Sequence, residues 1–355
     1  MSKWENRKWE DILTIINGKS QAKVVNEKGK YPIYGSGGIM GYADDYICNE
    51  NTVIIGRKGS INKPIFVETK FWNVDTAFGL QANKDLLIPK YLYYFCIKFN
   101  FEKLNTTVTI PSLTKRNLLN IIMPVPPLDS QKHIAETLDK VSEIINLHKK
   151  RLEELDNLIK STFYDMFGDP FEKTLTTKMI CLSALCEIIM GQSPKGDSYN
   201  SEGIGTPLLN GPSEFGDRSP CEKQWTDSPT KMCESNDILF CVRGATAGRM
   251  NIADKEYCIG RGLAAVRPKN ENIREFIFLY LEIMYDYFQK TSNGSTFINI
   301  GKEQLTQLPI IMPNEEFQTK FAQIVTKIEE QKILEKQAIS ESENLFNSLM
   351  SKYFD

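Results

Sequence analysis

Two kinds of hydrophobic pattern divide the chain. From Asp129 to Met166 there is no glycine or proline, and apolar or small positions recur at alternating steps of four and three: Ile134, Leu138, Val141, Ile145, His148, Leu152, Leu155, Ile159, Thr162 and Met166. That spacing predicts one long helix with a coiled-coil seam. "GDP" (Gly168–Pro170) stops it, with glycine just past the end and proline beyond. A second helix is predicted from Glu315 to about Tyr353, with Phe321, Val325, Ile328, Lys332, Glu335, Ile339, Ser342, Phe346, Leu349 and Tyr353 along its stripe. Its middle is polar, so Leu334, Ala338 and Leu345 are rival carriers of the seam there. Elsewhere the chain holds short β-type apolar runs, such as "NTVIIG" and "NDILFC".

The pattern occurs twice. "VPPLDSQKHIAETLDKV" (Val125–Val141) and "MPNEEFQTKFAQIVTKI" (Met312–Ile328) match at Pro126 and Pro313, Gln131 and Gln318, Ala135 and Ala322, Lys140 and Lys327, each pair 187 apart. "NTVIIGRKGSINKPIFV" from Asn51 has its counterpart in "NDILFCVRGATAGRMNI" from Asn236, and "YLYYFCIKF" from Tyr91 in "FIFLYLEIM" from Phe276. The offset grows from 173 at Gly18 and Gly191 to 185 at Gly59 and Gly244. Insertions in the polar stretch 196–221 account for most of that growth, and its turn-forming composition predicts loops.

These repeats predict an α+β chain of two similar globular domains, 1–128 and 170–314, with spacer helices at 129–169 and 315–355. If the helices pair, connectivity makes them antiparallel, giving a pseudo-twofold object on a rod on the order of 55 Å long. In each repeat the proline ends a domain, and the acids that follow (Asp129; Glu315 and Glu316) suit a helix N-terminus.

Charge changes the picture more by its distribution than by its sum of −2. Residues 1–128 carry 17 basic and 11 acidic side chains, a net +6, whereas the two helical segments are each −3 and 170–314 is −2. A nucleic-acid face is thus expected on the globular domains. Acidic helices suit a protein partner or simple solvation better than a duplex. Eight cysteines without a CxxC pair, and only two histidines, argue against a zinc site and for buried free thiols. Nothing at the start reads as a signal peptide, and no apolar run is long enough for a bilayer, so a cytoplasmic chain is expected. There is no GxxxxGK[ST] loop, and no catalytic or metal-binding set is expected in the chain.

The "GRKGS" loop (Gly56–Ser60), "VRGATAG" (Val242–Gly248), the tract "TIPSLTKRNLLNIIMPVPPLDSQKHIA" with its echo from Phe297 to Ala322, and the helix tails "LIKSTFYDMFGD" and "LFNSLMSKYFD" together resemble the DNA-specificity subunits of type I restriction–modification systems. The likeness covers essentially the whole chain. In the second copy "IPSL" becomes "INIG". The resemblance implies two target-recognition domains reading a split site on double-stranded DNA. It also implies spacer helices that dock two methyltransferase subunits, and motor-nuclease subunits in the full complex. S-adenosylmethionine, ATP and Mg2+ would then serve those partners, with no cofactor in this chain. The rival is a stand-alone DNA-binding regulator or orphan recognition factor; a structural adaptor is a third reading.

Candidate DNA contacts are Arg57, Lys58, Ser60 and Lys63 in the first domain and Arg243, Thr246 and Arg249 in the second. Arginine suits bidentate guanine contact, and lysine supplies charge. Ser36 and Gly37, in "YGSGGIMG", form either a flexible turn or a phosphate-facing loop. Thr107 and Thr109, with Ser295 and Thr296, are either phosphate donors or helix caps. Lys115, Asn210, Arg218 and Arg261 are weaker candidates, as are Lys223 and Trp225. The two histidines are expected to be packed or to face a partner.

Overall fold

The computed structural model describes residues 4–105, 111–171, 179–285 and 299–355. The chain forms two compact units. One comprises Met1–Lys150 with Glu335–Asp355, and the other Arg151–Leu334. Each unit therefore owns part of both long helices, Leu128–Phe167 and Glu315–Phe354.

In the first unit a four-stranded antiparallel sheet runs Leu13–Asn17, Ala77–Ala82, Thr52–Gly56, Ile65–Val67 in spatial order. Thr52–Gly56 is buried at every position, which is why Val53, Ile54 and Ile55 run on without the alternation of a half-exposed strand. A three-stranded sheet places Tyr31–Gly35 between Gly38–Ala43 and Trp72–Asn73. Glu5–Lys8 pairs with Ile122–Val125 just before the first long helix. The core joins Trp9, Tyr91 and Phe101 to Ile134 and Leu138 of the first long helix and Met350 of the second, with Phe346, Leu349, Tyr353 and Phe354 packed against it.

The second unit repeats the plan. Its four-stranded sheet runs Cys186–Met190, Leu263–Pro268, Ile238–Cys241, Met250–Ile252. Five short strands replace the three of the first unit, and Met179–Cys181 pairs with Pro309–Ile311. The core joins Phe276 and Tyr280 to Ile159, Phe163 and Phe167 of the first long helix and Phe321, Val325 and Ile328 of the second. Helices Pro89–Lys98 and Arg274–Ile283 occupy matched places.

The repeat extends to single hydrogen bonds. Trp9 N donates to the Ile121 carbonyl, as Leu182 N does to that of Leu308. Gly18 N donates to Ala77 and Gly191 N to Leu263. Both glycines pass so close to the neighbouring chain that a Cβ would lie 1.8 Å from the Val74 oxygen or 2.2 Å from that of Gly260. The junction residues also have a shared purpose. The Gln131 amide donates to the Pro126 carbonyl at 2.8 Å and the Gln318 amide to that of Pro313 at 2.9 Å, both buried. Each glutamine ties the first turn of a long helix to the proline that precedes it.

Within each unit the helices run antiparallel. In the first, Leu138 shares a core with Met350 while His148 meets Glu335. In the second, Asp156 meets Lys332 while Phe163 and Phe167 pack on Phe321. The predicted seam of the first helix is buried or half-buried throughout, from Ile134, Val141 and Ile145 to Leu152, Leu155 and Ile159. Phe163 and Phe167, outside that reading, are buried as well. The polar middle of the second helix is the true seam. Leu334 and Leu345 are about half exposed, which corrects the alternative that gave them the seam. Glu335 is buried there, its carboxylate 2.6 Å from His148 Nδ1. Lys332 holds Asp156 at 2.7 Å and Glu329 at 3.0 Å. Burial works against the Lys332 ammonium, yet the two carboxylates more than offset it and its pKa rises. Ile339, with Phe346 and Leu349, is half-buried.

The eight cysteines are free, but Cys181 and Cys221 are exposed, a correction to uniform burial. Cys181 ends a two-stranded ladder and Cys221 lies in a loop. No helix among the described residues is long and apolar enough to cross a membrane.

Candidate nucleic-acid interface

The two basic loops are built by one scheme. A buried strand ends (Gly56; Cys241), and the next residue is fastened on both sides. Arg57 N donates to Thr76 and Val242 N to Gly262, at 2.8 and 2.9 Å. Leu113 N donates back to Arg57 and Ile300 N to Val242, both at 2.9 Å. Isolated bridges Lys58–Ser112 and Arg243–Asn299 follow. Gly59 and Gly244 then turn with φ of 79° and 80°, a left-handed conformation that only glycine adopts at no cost. Arg57 and Val242 are thus structural equivalents, and so are Lys58 and Arg243.

This fastening projects basic side chains from short loops on a hydrogen-bonded base. Arg57, Lys58, Ser60 and Lys63 are exposed, with the Arg57 guanidinium 5.7 Å from the Phe78 ring centroid. In the second unit Arg243 and Arg249 are exposed, while Thr246 is half-buried with its hydroxyl 3.6 Å from Cys241 Sγ. Such placement suits contact with phosphate and base edges.

The remaining candidates divide. Ser36 and Gly37 form the two-residue turn of a β-hairpin, flanked by exposed Ile39, Met40 and Tyr42. "YGSGGIMG" is therefore a hairpin, with glycines at 38 and 41 in positive φ. Arg261 is exposed. Lys115 opens the helix Lys115–Leu119, and its ammonium donates to the Ile15 carbonyl at 2.7 Å, a tie to the sheet. Asn210 is half-buried and engaged with Glu214 and Gln224. Arg218 holds Glu275 through Nη2 and Glu329 through Nη1, at 2.8–2.9 Å. Lys223 donates to Ser213, and Trp225 is half-buried in a strand. Thr107, Thr109, Ser295 and Thr296 lie outside the described residues. Sequence reasoning missed the backing residues Thr76, Ser112, Gly262 and Asn299. Their signal was present only as matched spacing, because their contribution is backbone and not side chain. Among the described residues no group of three or more His, Cys, Asp or Glu is placed to hold a metal ion.

Two α+β units, each presenting a basic loop on the same hydrogen-bonded frame, make the chain an internal structural repeat. Comparison with known proteins makes the assignment specific. Residues 1–157 and 175–344 each match the type I restriction modification DNA specificity domain, and the chain belongs to that family. It is similar to the putative type I restriction enzyme MjaX specificity subunit of Methanocaldococcus jannaschii, at 29% identity over 92% of this chain and 87% of that protein. Its fold resembles that of a type I restriction–modification S subunit from M. genitalium, with a TM-score of 0.67 at 18% identity over 99% of this chain and 96% of that one. A chain from structural work on assembly and conformational transition of the type I system superposes with a TM-score of 0.62 at 22% identity, over 99% and 98% of the two chains. The chain is a non-catalytic specificity chain; the catalytic activities of type I systems reside in other subunits.

Proposed function

We propose that this chain reads a two-part site on double-stranded DNA, one half with each unit, and carries two methyltransferase subunits to it. Motor-nuclease subunits would join the same assembly for restriction. S-adenosylmethionine, ATP and Mg2+ are the partners' requirements. The observation that carries the reading is the pair of basic loops held on one repeated backbone frame, Arg57–Lys63 and Arg243–Arg249. A repeated frame with different side chains is what two different half-sites require. The acidic long helices are poor DNA surfaces and are assigned to spacing and to protein partners.

The test is methylation sequencing of cells with and without this gene, followed by loop variants. Arg57→Ala is expected to relax one half-site and Arg243→Ala the other, each by about 1–3 kcal/mol of base discrimination. Lys58→Ala is expected to weaken binding evenly across sequences and to lower the salt slope by about one. Inserting four residues into both long helices is expected to change the gap and leave the half-sites intact. Tight, specific binding by the isolated chain without methylation would instead mark a stand-alone DNA-binding protein. No salt-dependent DNA binding, alone or assembled, would refute the proposal.

A further inference from the structure

The units differ most between two pairs of matched residues. Tyr34 and Leu209 correspond, accepting from Val74 N and Gly260 N respectively. Asn51 and Asn236 correspond as the two non-glycine residues of positive φ among those described. From Tyr34 to Asn51 is 17 steps, and from Leu209 to Asn236 is 27, so the second unit has ten extra residues here.

They form a folded turn. Phe215 bridges to Pro220, Gly216 N donates to Ser219 at 3.1 Å, and Cys221 N donates to Glu214 at 2.7 Å. The turn sits on the outer strand of the four-stranded sheet, where Ile252 N donates to the Arg218 carbonyl at 2.9 Å and the Asn251 amide to Gly216 at 3.2 Å. The Arg218 guanidinium then forks. Its Nη2 meets both oxygens of buried Glu275 at 2.9 and 2.8 Å, and its Nη1 meets Glu329 at 2.8 Å. Arg274 also holds Glu275, at 2.8 Å, and Lys332 links Glu329 to Asp156. Six charged side chains thus connect the turn, helix Arg274–Ile283 and both long helices.

An isolated surface ion pair contributes little. Here Glu275 is buried, and removing one partner of a buried carboxylate is costly. Among the described residues of the first unit, no arginine ties a loop to a buried carboxylate in this way. Lys90 and Ser142 stand where Glu275 and Glu329 stand in the second, by the offsets of 185 and 187. No loop backbone among the described residues hydrogen-bonds to its outer strand Ile65–Val67.

We propose that Arg218 is a positioning residue for the second unit. It locks the segment 210–224 to the sheet edge and to Glu329 of the second long helix, so reading of one half-site, and not the other, depends on this latch. The half-site consequence rests on the DNA reading above; the lock itself does not. Hydrogen exchange on the full chain tests the lock. Arg218→Ala is expected to speed exchange across 211–224 by about tenfold or more while strands Ile238–Cys241 and Leu263–Pro268 keep their rates. Glu329→Gln is expected to act in the same direction, and the double variant to go no further than the larger single one. Arg218→Lys is expected to restore part of the protection, and with Glu329→Gln it decides the matter if Arg218→Ala unfolds. Unchanged exchange at 211–224 in these variants overturns the lock. Methylation by the assembled complex tests the consequence: Arg218→Ala is expected to cost about tenfold in preference at one half-site only. An equal loss at both halves, or at neither, overturns it. A wild-type complex that shows no two-part motif overturns the DNA reading, with the lock still judged by exchange.

Discussion

The two junction glutamines are matched in sequence but not in load, and that difference sets a measurable asymmetry. Gln131 is completely buried. Its Oε1 accepts from Ile88 N at 2.8 Å, and its amide donates to Leu86 at 2.9 Å and Pro126 at 2.8 Å. Gln131→Ala removes the partner of one half-buried N–H (Ile88), one half-buried carbonyl (Leu86) and one buried carbonyl (Pro126). An orphaned buried group costs about 1–3 kcal/mol, with carbonyls at the low end because a second lone pair gives them more ways to be satisfied. The expected total is about 3 kcal/mol. Among the described residues Gln318 makes a single such bond, to Pro313, so Gln318→Ala is expected to cost about 1 kcal/mol. The difference of about 2 kcal/mol corresponds to roughly 30-fold in a local opening equilibrium. Hydrogen exchange reads this directly, at 86–88 in one variant and at the start of the second long helix in the other. Gln131→Met, which keeps volume and removes polarity, separates lost hydrogen bonds from an empty cavity. Equal effects of Gln131→Ala and Gln318→Ala, or a cost below about 1 kcal/mol for Gln131→Ala, would refute the claim that three bonds anchor the first long helix to its entrance.

Other outcomes follow from the same structure. His148→Leu alone is expected to destabilise by about 1–3 kcal/mol, because buried Glu335 loses its imidazole; with Glu335→Leu added, stability should return to wild type or above, as read by denaturant melts. Gly18→Ala or Gly191→Ala is expected to cost about 3 kcal/mol or more, since the new Cβ meets a backbone oxygen at 1.8 or 2.2 Å; soluble yield and melting report it. A thiol reagent is expected to label Cys181 and Cys221 quickly and the other six only on unfolding, and a fast third thiol would contradict the burial. Burial raises Cys48, Cys186 and Cys233 from 9.0 to about 12. The folded state therefore keeps protons that the unfolded state releases, so stability is full below about pH 9 and falls between about pH 9 and 12; a flat denaturation midpoint over that range would count against it.

The long helices and the first seam were legible because each rests on local periodicity, and the repeat because whole segments recur in order at offsets of 173 to 187. His148 could be placed on that seam by spacing alone. The second seam was ambiguous because Lys332 and Glu335 are acceptable there only when Asp156 and His148 stand across from them, a pairing that no single-helix pattern contains. Arg218 illustrates the same limit. Its type suited phosphate, yet Glu275 and Glu329, 57 and 111 positions away in sequence, claim its guanidinium. The basic loops were legible as composition, and what makes them rigid was not, because backbone bonds from Thr76, Ser112, Gly262 and Asn299 carry no residue signature.

The partition of the long helices has a consequence for how the protein is made. The first unit's core includes Met350, with Phe346 and Leu349 packed against it, and these emerge from the ribosome only after the whole second unit. Some 185 residues separate Lys150 from Glu335; at about 5–20 residues per second that is a wait of roughly 10–40 s. Throughout it, Ile134 and Leu138 lack the helix that covers them. The nascent amino-terminal half is thus expected to expose that apolar face, the kind of surface chaperones cover, until the final turns of the second long helix arrive, while the second unit, continuous in sequence, can close first.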